Sequence, residues 1–198
     1  MALDRPQIVA TALELLREHG LGALSMRRLA TELGVAPGAL YWHVPSKQDL
    51  LAEVAELVLA PAADDSSDAG DDPVAAAERL RAALLAVRDG AEVVSFALSF
   101  RPEGLMPLRA LSRLFGDLPP EQAGWAARTL TYFVLGAVAE EQNRRELVRA
   151  GILPSDTGSD PDAPNRDAAF RFGLDAILAG LRARPERTST THGACHDL

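Results

Sequence analysis

Apolar positions along this chain recur at helical spacing almost throughout. Ile8, Ala12, Leu15 and Leu16 share one face of a helix over residues 4–19, which Asp4 opens with Gln7 in a capping-box arrangement, with Pro6 in the first turn. Gly20 ends it. A second helix starts at Ser25, and Gly34 supplies the positive φ of a tight turn four residues after Ala30, where two short helices cross closely. Pro37 opens the next helix, which runs to about His43 and is anchored by Leu40 against Leu29 and Leu33. This spacing predicts a helix-turn-helix over Ser25–Lys47. Ser46 with Asp49 caps a fourth helix, whose Leu50, Leu51, Val54, Leu57 and Val58 keep helical step to about Leu59, before Pro61 stops it.

Residues 61–72 change composition to Ala, Ser, Gly and the aspartates Asp64, Asp65, Asp68, Asp71 and Asp72. No oxygen-ligand spacing with the required glycine appears there, so the stretch reads as a solvated acidic loop and no metal site is expected. Asp72-Pro73 start another helix, with Leu80, Leu84 and Val87 on one face up to Arg88 and Gly90 as its breaker. The run Val93–Phe100 is apolar enough for a strand, and only its helical surroundings favour a helix. Leu105–Phe115 reads as one amphipathic helix with Leu108, Leu111 and Leu114 or Phe115 inward. After Pro119-Pro120 a long helix runs from about Glu121 to Arg149, and its segment Tyr132–Ala139 is apolar on every side, which predicts cover all round. In the last helix Phe170, Leu174, Ile177, Leu178 and Leu181 form a stripe, while Gly173 and Gly180 on a neighbouring edge permit close helix contact. The fold class is therefore all-α. A three-helix DNA-binding module over 1–46 is followed by a larger helical body over 47–184 and a disordered tail over 185–198.

Composition agrees with helices: alanine, leucine and arginine are abundant, and aromatics make up 5% of the chain. No apolar run approaches the roughly 18 residues of a membrane span, no signal-peptide pattern opens the chain, and there is a single cysteine, so a cytoplasmic protein is expected. The net charge of −8 changes the picture only when resolved by region. Residues 1–50 carry five Lys/Arg and five Asp/Glu, so the whole excess of acid lies in the body. A neutral reading head attracts phosphate weakly, and binding should depend on dimerisation and local contacts. Lys47 is the one lysine in the chain.

Three stretches together resemble a known family: Leu40-Tyr41-Trp42-His43-Val44 followed by Lys47 and Leu50-Leu51; Arg88-Asp89-Gly90-Ala91; and Leu135-Gly136-Ala137-Val138 with Glu140. They are similar to the TetR-type transcriptional repressors, and to the tetracycline repressor branch in particular, over nearly the whole length. The resemblance implies a homodimer, held by the two long C-terminal helices of each subunit, that binds a pseudo-palindromic double-stranded DNA operator and is released by a small-molecule effector. It gives Arg27 the position of a guanine-reading arginine, with Arg28 beside it, and gives Ser25, Tyr41, His43 and Lys47 positions that bind phosphate. Pro37, Gly38 and Ala39 replace the branch's Gln-Pro-Thr, so small apolar groups stand at base-reading positions and a different operator is expected. Trp42 reads as core.

For the effector, the branch's magnesium-chelate ligands are replaced by Ala63, Ala76 and Val94, while Glu140 retains the matching carboxylate. A magnesium–tetracycline inducer is not expected, and no cofactor is implied. A mostly apolar or aromatic ligand would draw on Phe96, Phe100, Trp125, Tyr132, Phe133 and Glu140, although each aromatic taken singly reads more readily as core. The stripes of the last two helices read either as the dimer interface or as intrachain core. The fourth helix touches head and body, which makes it the expected lever between effector and DNA.

Rival readings are weaker. The chain has no phosphate loop, zinc-binding His-Glu-x-x-His or nucleophile elbow, so it is not expected to be an enzyme. Asp156-Thr157-Gly158-Ser159 resembles an aspartic-protease triplet but lies in a Pro/Gly/Asp-rich connection without a β scaffold. His192, Cys195 and His196 fall in the Ser/Thr-rich tail. The alternative is a helical small-molecule- or partner-binding module without operator binding.

Overall fold

The computed structural model describes residues 3–63, 72–101, 105–154 and 163–183. Most of the acidic stretch, the Asp156–Ser159 tetrad and the C-terminal tail lie outside the described residues. Within them the chain forms α1 (Arg5–His19), α2 (Met26–Glu32), α3 (Pro37–His43), α4 (Lys47–Leu59), α5 (Pro73–Leu85), α6 (Gly90–Phe100), α7 (Met106–Ala110), α8 (Pro120–Arg149) and α9 (Ala163–Arg182). No strand is present among the described residues, so the apolar run Val93–Phe100 is helical, its Val93, Val94 and Ala97 packed inward.

The caps are those the side chains dictate. The Asp4 carboxylate accepts the Gln7 N–H at 2.8 Å, Ser25 Oγ accepts the Arg28 N–H at 3.2 Å, and Ser46 Oγ accepts the Asp49 N–H at 3.0 Å. Asp72 caps α5 through the N–H groups of Val74 and Ala75. Helix α1 covers the helix-turn-helix with Ile8, Ala12, Leu15 and Leu16, all buried. Helix α4 packs on α1 at the head and along α6 in the body, and Leu50, Val54, Ala55 and Leu59 are fully covered between them. Helix α8 runs past α5, α6 and α7, and α9 lies against it.

Three expectations change. Gly90 is the first residue of α6, not the breaker of α5, which ends at Leu85. The reversal is made by Asp89 in the left-handed region (φ 56), and Gly90 is required because a Cβ there would lie 2.5 Å from the Leu84 carbonyl oxygen. Residues 105–115 split into α7 and a 3-10 stretch, Leu111–Phe115, because the register shifts to bury Leu105, Leu108 and Phe115 together. The segment Tyr132–Ala139 is not covered all round within one chain: Val134, Leu135 and Val138 are buried, but Tyr132 and Gly136 face outward.

Gln142 of α8 holds the α5–α6 reversal. Its amide nitrogen donates to the carbonyls of Leu84 (3.0 Å) and Val87 (2.8 Å), and its oxygen accepts the Ala91 N–H at 3.2 Å. Beside it Arg88 makes a two-pronged pair with Glu146, at 2.9 and 2.6 Å, and Arg149 also reaches Glu146. Further along, Arg81 of α5 joins α8 and α9, pairing with Glu141 (2.9 Å) and Asp167 (2.8 Å) over the Phe170 ring.

Replacing Gln142 by Leu leaves the buried Ala91 N–H without a partner and takes one of two bonds from each of the Leu84 and Val87 carbonyls, and should lower unfolding stability by about 2 kcal/mol, read by urea denaturation. An unchanged midpoint would mean that water takes over those bonds. Partial burial pushes the Glu146 carboxyl up, but its hydrogen bond to Arg88 and the charges of Arg149 and Arg88 outweigh that and hold it below the usual range. The linked stability is thus complete above the ordinary glutamate pKa of about 4.3 and is lost as pH falls through the lower folded value. Glu146→Gln should make the acid-side loss of stability shallower than in the wild type.

Candidate DNA-reading head and effector cavity

In the head, Met26 and Leu29 point inward from α2, which leaves Ser25, Arg27 and Arg28 exposed at its start. Gly34 takes φ 67, and the Val35 N–H closes the turn on the Ala30 carbonyl at 3.0 Å. Helix α3 begins at Pro37 and buries Leu40, with Val44 buried just beyond its end. Pro37, Gly38, Tyr41 and Trp42, at i, i+1, i+4 and i+5, therefore share its exposed face. Ala39, His43 and Lys47 are half-covered at its margins.

Trp42 corrects the sequence reading. It is 89% exposed, not core, because Leu40 and Val44 already fill the inward positions of so short a helix. Its helical register with Gly38 was the signal that could have found it.

The zero net charge of the head hides an uneven distribution. Arg5 donates to both carboxylate oxygens of Glu53 at 2.8 and 2.6 Å, and Arg17 pairs with Glu14 at 2.5 Å. Among the described residues Arg27, Arg28 and Lys47 have no acidic partner. Asp4, Glu14 and Asp49 of the head are engaged with the scaffold and the caps, and the cations left over lie on the helix-turn-helix.

Besides the Arg5–Glu53 pair, head and body meet at a polar contact of short reach. The Asp89 carboxylate accepts the Leu21 N–H at 2.7 Å, just after Gly20, whose φ is 76 and whose Cβ, if present, would lie 2.6 Å from that carboxylate. A second connection is carried by α4, where Glu56 faces Arg101 at the end of α6 at 3.6 Å.

A cavity of about 430 Å³ opens between α6, α7 and α8, framed by Leu98, Arg101, Leu108, Arg109, Arg128 and Tyr132. Of the six effector candidates it gathers only Tyr132. Phe96 and Phe100 pair edge to face on the exposed side of α6 (ring centroids 4.6 Å), and Trp125 and Glu140 are exposed on α8. Phe133 stacks on Phe170 at 5.3 Å and occupies the notch left by Gly173, where a Cβ would lie 2.7 Å from its ring. Gly173 thus serves packing within the chain, while Gly180 faces open space. The three arginines of the cavity carry no shared spacing in the sequence, and arginine is common enough here to hide them.

The family pattern described as bacterial regulatory proteins, tetR family, matches residues 8–54, which span α1 to α4. The tetracycline repressor protein class G of Vibrio anguillarum is 32% identical over 196 residues, covering 90% of this chain and 93% of its own. The crystal structure of Mycobacterium smegmatis BioQ superposes with a TM-score of 0.76 at 35% identity, covering 93% of this chain and 100% of its own. A structure of BioQ with its double-stranded DNA operator gives 0.73 at 35% identity over 92% of this chain and 100% of its own. The chain belongs to the tetR family of bacterial regulatory proteins.

Proposed function

We propose that this protein is a ligand-responsive transcriptional repressor that binds a pseudo-palindromic operator as a homodimer in the cytoplasm. The observation that carries the reading is the set Arg27, Arg28 and Lys47, which keep no acidic partner among the described residues while Arg5 and Arg17 are neutralised. Unpaired cations flanking the exposed face of α3 fit phosphate contacts on either side of a helix laid in the major groove. Arg27 takes the guanine-reading role, and Arg28, Ser25, Tyr41, His43 and Lys47 fix register on the backbone. Pro37, Gly38 and Ala39 meet the groove floor, where small apolar groups fit thymine methyls.

The head over 1–46 and the body over 47–184 are the working units. Dimerisation is supported by apolar faces that one chain leaves open. Trp125, Thr129, Tyr132 and Gly136 form an exposed stripe on α8, and Ala169, Phe172, Ala176 and Ala179 form one on α9, each at alternating steps of three and four. Two copies brought together on these stripes make a four-helix interface that buries Phe172, 77% exposed in one chain.

The effector enters the body and favours the conformer that DNA disfavours. Helix α4 carries the change, since it is packed on α1 at one end and on α6 at the other. A tilt of α4 alters the separation of the two recognition helices, which DNA requires to be about 34–36 Å.

Binding to a promoter fragment beside the protein's own coding region, measured at stated salt, tests the reading. Arg27→Ala should weaken it by about ten- to a hundredfold, the value of a bidentate base contact, and Tyr41→Ala should weaken it without changing sequence preference. Equal and weak binding by all three proteins would favour a helical ligand- or partner-binding module. Trp42 emission should fall when operator is added, and an unchanged spectrum would place α3 away from the groove. Phe172→Glu should yield a monomer by sedimentation that no longer holds the operator; a dimer would move the interface elsewhere.

A further inference from the structure

We infer that the cavity between α6, α7 and α8 takes a small aromatic carboxylate whose anionic group is held by Arg101, Arg109 and Arg128. This rests on the ligand-responsive reading above and specifies the chemical class of the ligand.

Several arginines of this acidic body are engaged with carboxylates: Arg81 with Glu141 and Asp167, Arg88 and Arg149 with Glu146, Arg171 with Glu78. Two of the three that line the cavity are not. Arg109 and Arg128 have no ion pair among the described residues, and no acid lines the cavity there. Arg101 reaches only as far as Glu56 of α4, at 3.6 Å. Two of the neighbouring hydroxyls do not compete as donors. Ser112 donates to the Arg109 carbonyl and Thr131 to the Ala127 carbonyl, both at 2.9 Å, so the guanidiniums are the charged donors left, with the Tyr132 hydroxyl beside them. Guanidinium and carboxylate meet in two parallel bonds, which gives direction as well as strength.

The remaining wall is apolar, from Leu98, Leu108 and Ala127, and Tyr132 adds a ring. At about 430 Å³ the space suits a body of one or two rings. These arginines are not part of the DNA-reading surface. Arg128 lies 18 residues before Glu146, the α8 residue at the head–body junction, which is about 27 Å along a helix.

The site also has a direct route to the lever. An oxyanion seated on Arg101 competes with Glu56, and the loss of that pair loosens the end of α6 from α4. Ligand charge, and not only ligand shape, thereby reaches the helix that sets the recognition separation.

The full-length protein is titrated with a set of one- and two-ring aromatic carboxylates and their primary amides, 1-naphthoate and 1-naphthamide among them, by thermal shift and calorimetry. Acids should raise the melting temperature and bind at least tenfold tighter than the matched amides. Arg109→Gln and Arg128→Gln, both at exposed positions, should keep the unliganded melting temperature and each lose about tenfold in acid affinity. Amides that match their acids, variants that bind acids like the wild type, or no acid-selective stabilisation at millimolar concentration would overturn the assignment. Promoter binding is measured separately in the same preparations. Acid-selective binding without promoter binding would sink the repressor reading and leave the carboxylate site standing; promoter binding without acid selectivity would do the reverse.

Discussion

The reversal between α5 and α6 is the constraint on which the arrangement of the body depends. A helix that ends and another that begins within four residues leave carbonyl and N–H groups without partners in a place closed to water. Turn bonds of the backbone satisfy some of them; Gln142, from a helix more than fifty positions later, bonds the Leu84 and Val87 carbonyls and the Ala91 N–H, and Gly90 lets the backbone approach closely enough for the turn to close. Asp89 is driven into a left-handed conformation by the same turn, and that conformation aims its carboxylate at the Leu21 N–H. One local problem of hydrogen bonding therefore fixes α8 against α5 and α6 and sets the body against the head.

Charge distribution follows a similar economy. Glu14 and Glu53 are tied to Arg17 and Arg5, Asp4 and Asp49 to helix caps, and Glu141 and Glu146 on α8 to Arg81, Arg88, Arg145 and Arg149. Most ion pairs on so open a surface contribute little stability, and their effect here lies in which cations they leave unpaired. Five of those cations, Arg27, Arg28, Lys47, Arg109 and Arg128, lie around the helix-turn-helix and around the cavity. Between them runs α4, whose buried Leu50, Val54 and Leu59 pack it against both head and body.

Much of this was legible in the chain. Caps and breakers are local chemistry, so Asp4, Ser25, Gly34, Pro37, Ser46 and the Asp72-Pro73 pair marked their helices within a residue or two. Family membership was legible from Leu40–Val44 and Arg88–Ala91. The misses share one cause, which is that periodicity shows a residue's face and not what lies opposite it. Trp42 looked like core by composition and is exposed because α3 is too short to offer a third inward position. Gly173 looked like part of a helix interface and instead makes room for Phe133 of the same chain. The cavity was misjudged for the same reason: aromatic residues announced themselves, while Arg101, Arg109 and Arg128 converge only in three dimensions.

The open stripes on α8 and α9 have a consequence for how a gene would respond. A single head with balanced charge gains little from non-specific attraction, so occupancy of an operator rests on two heads joined through those stripes. When the chain is scarce, the amount of paired protein rises with the square of its concentration. Promoter output would then switch over a narrower range of protein abundance than a one-headed binder could produce, and dilution at cell division would be felt twice over.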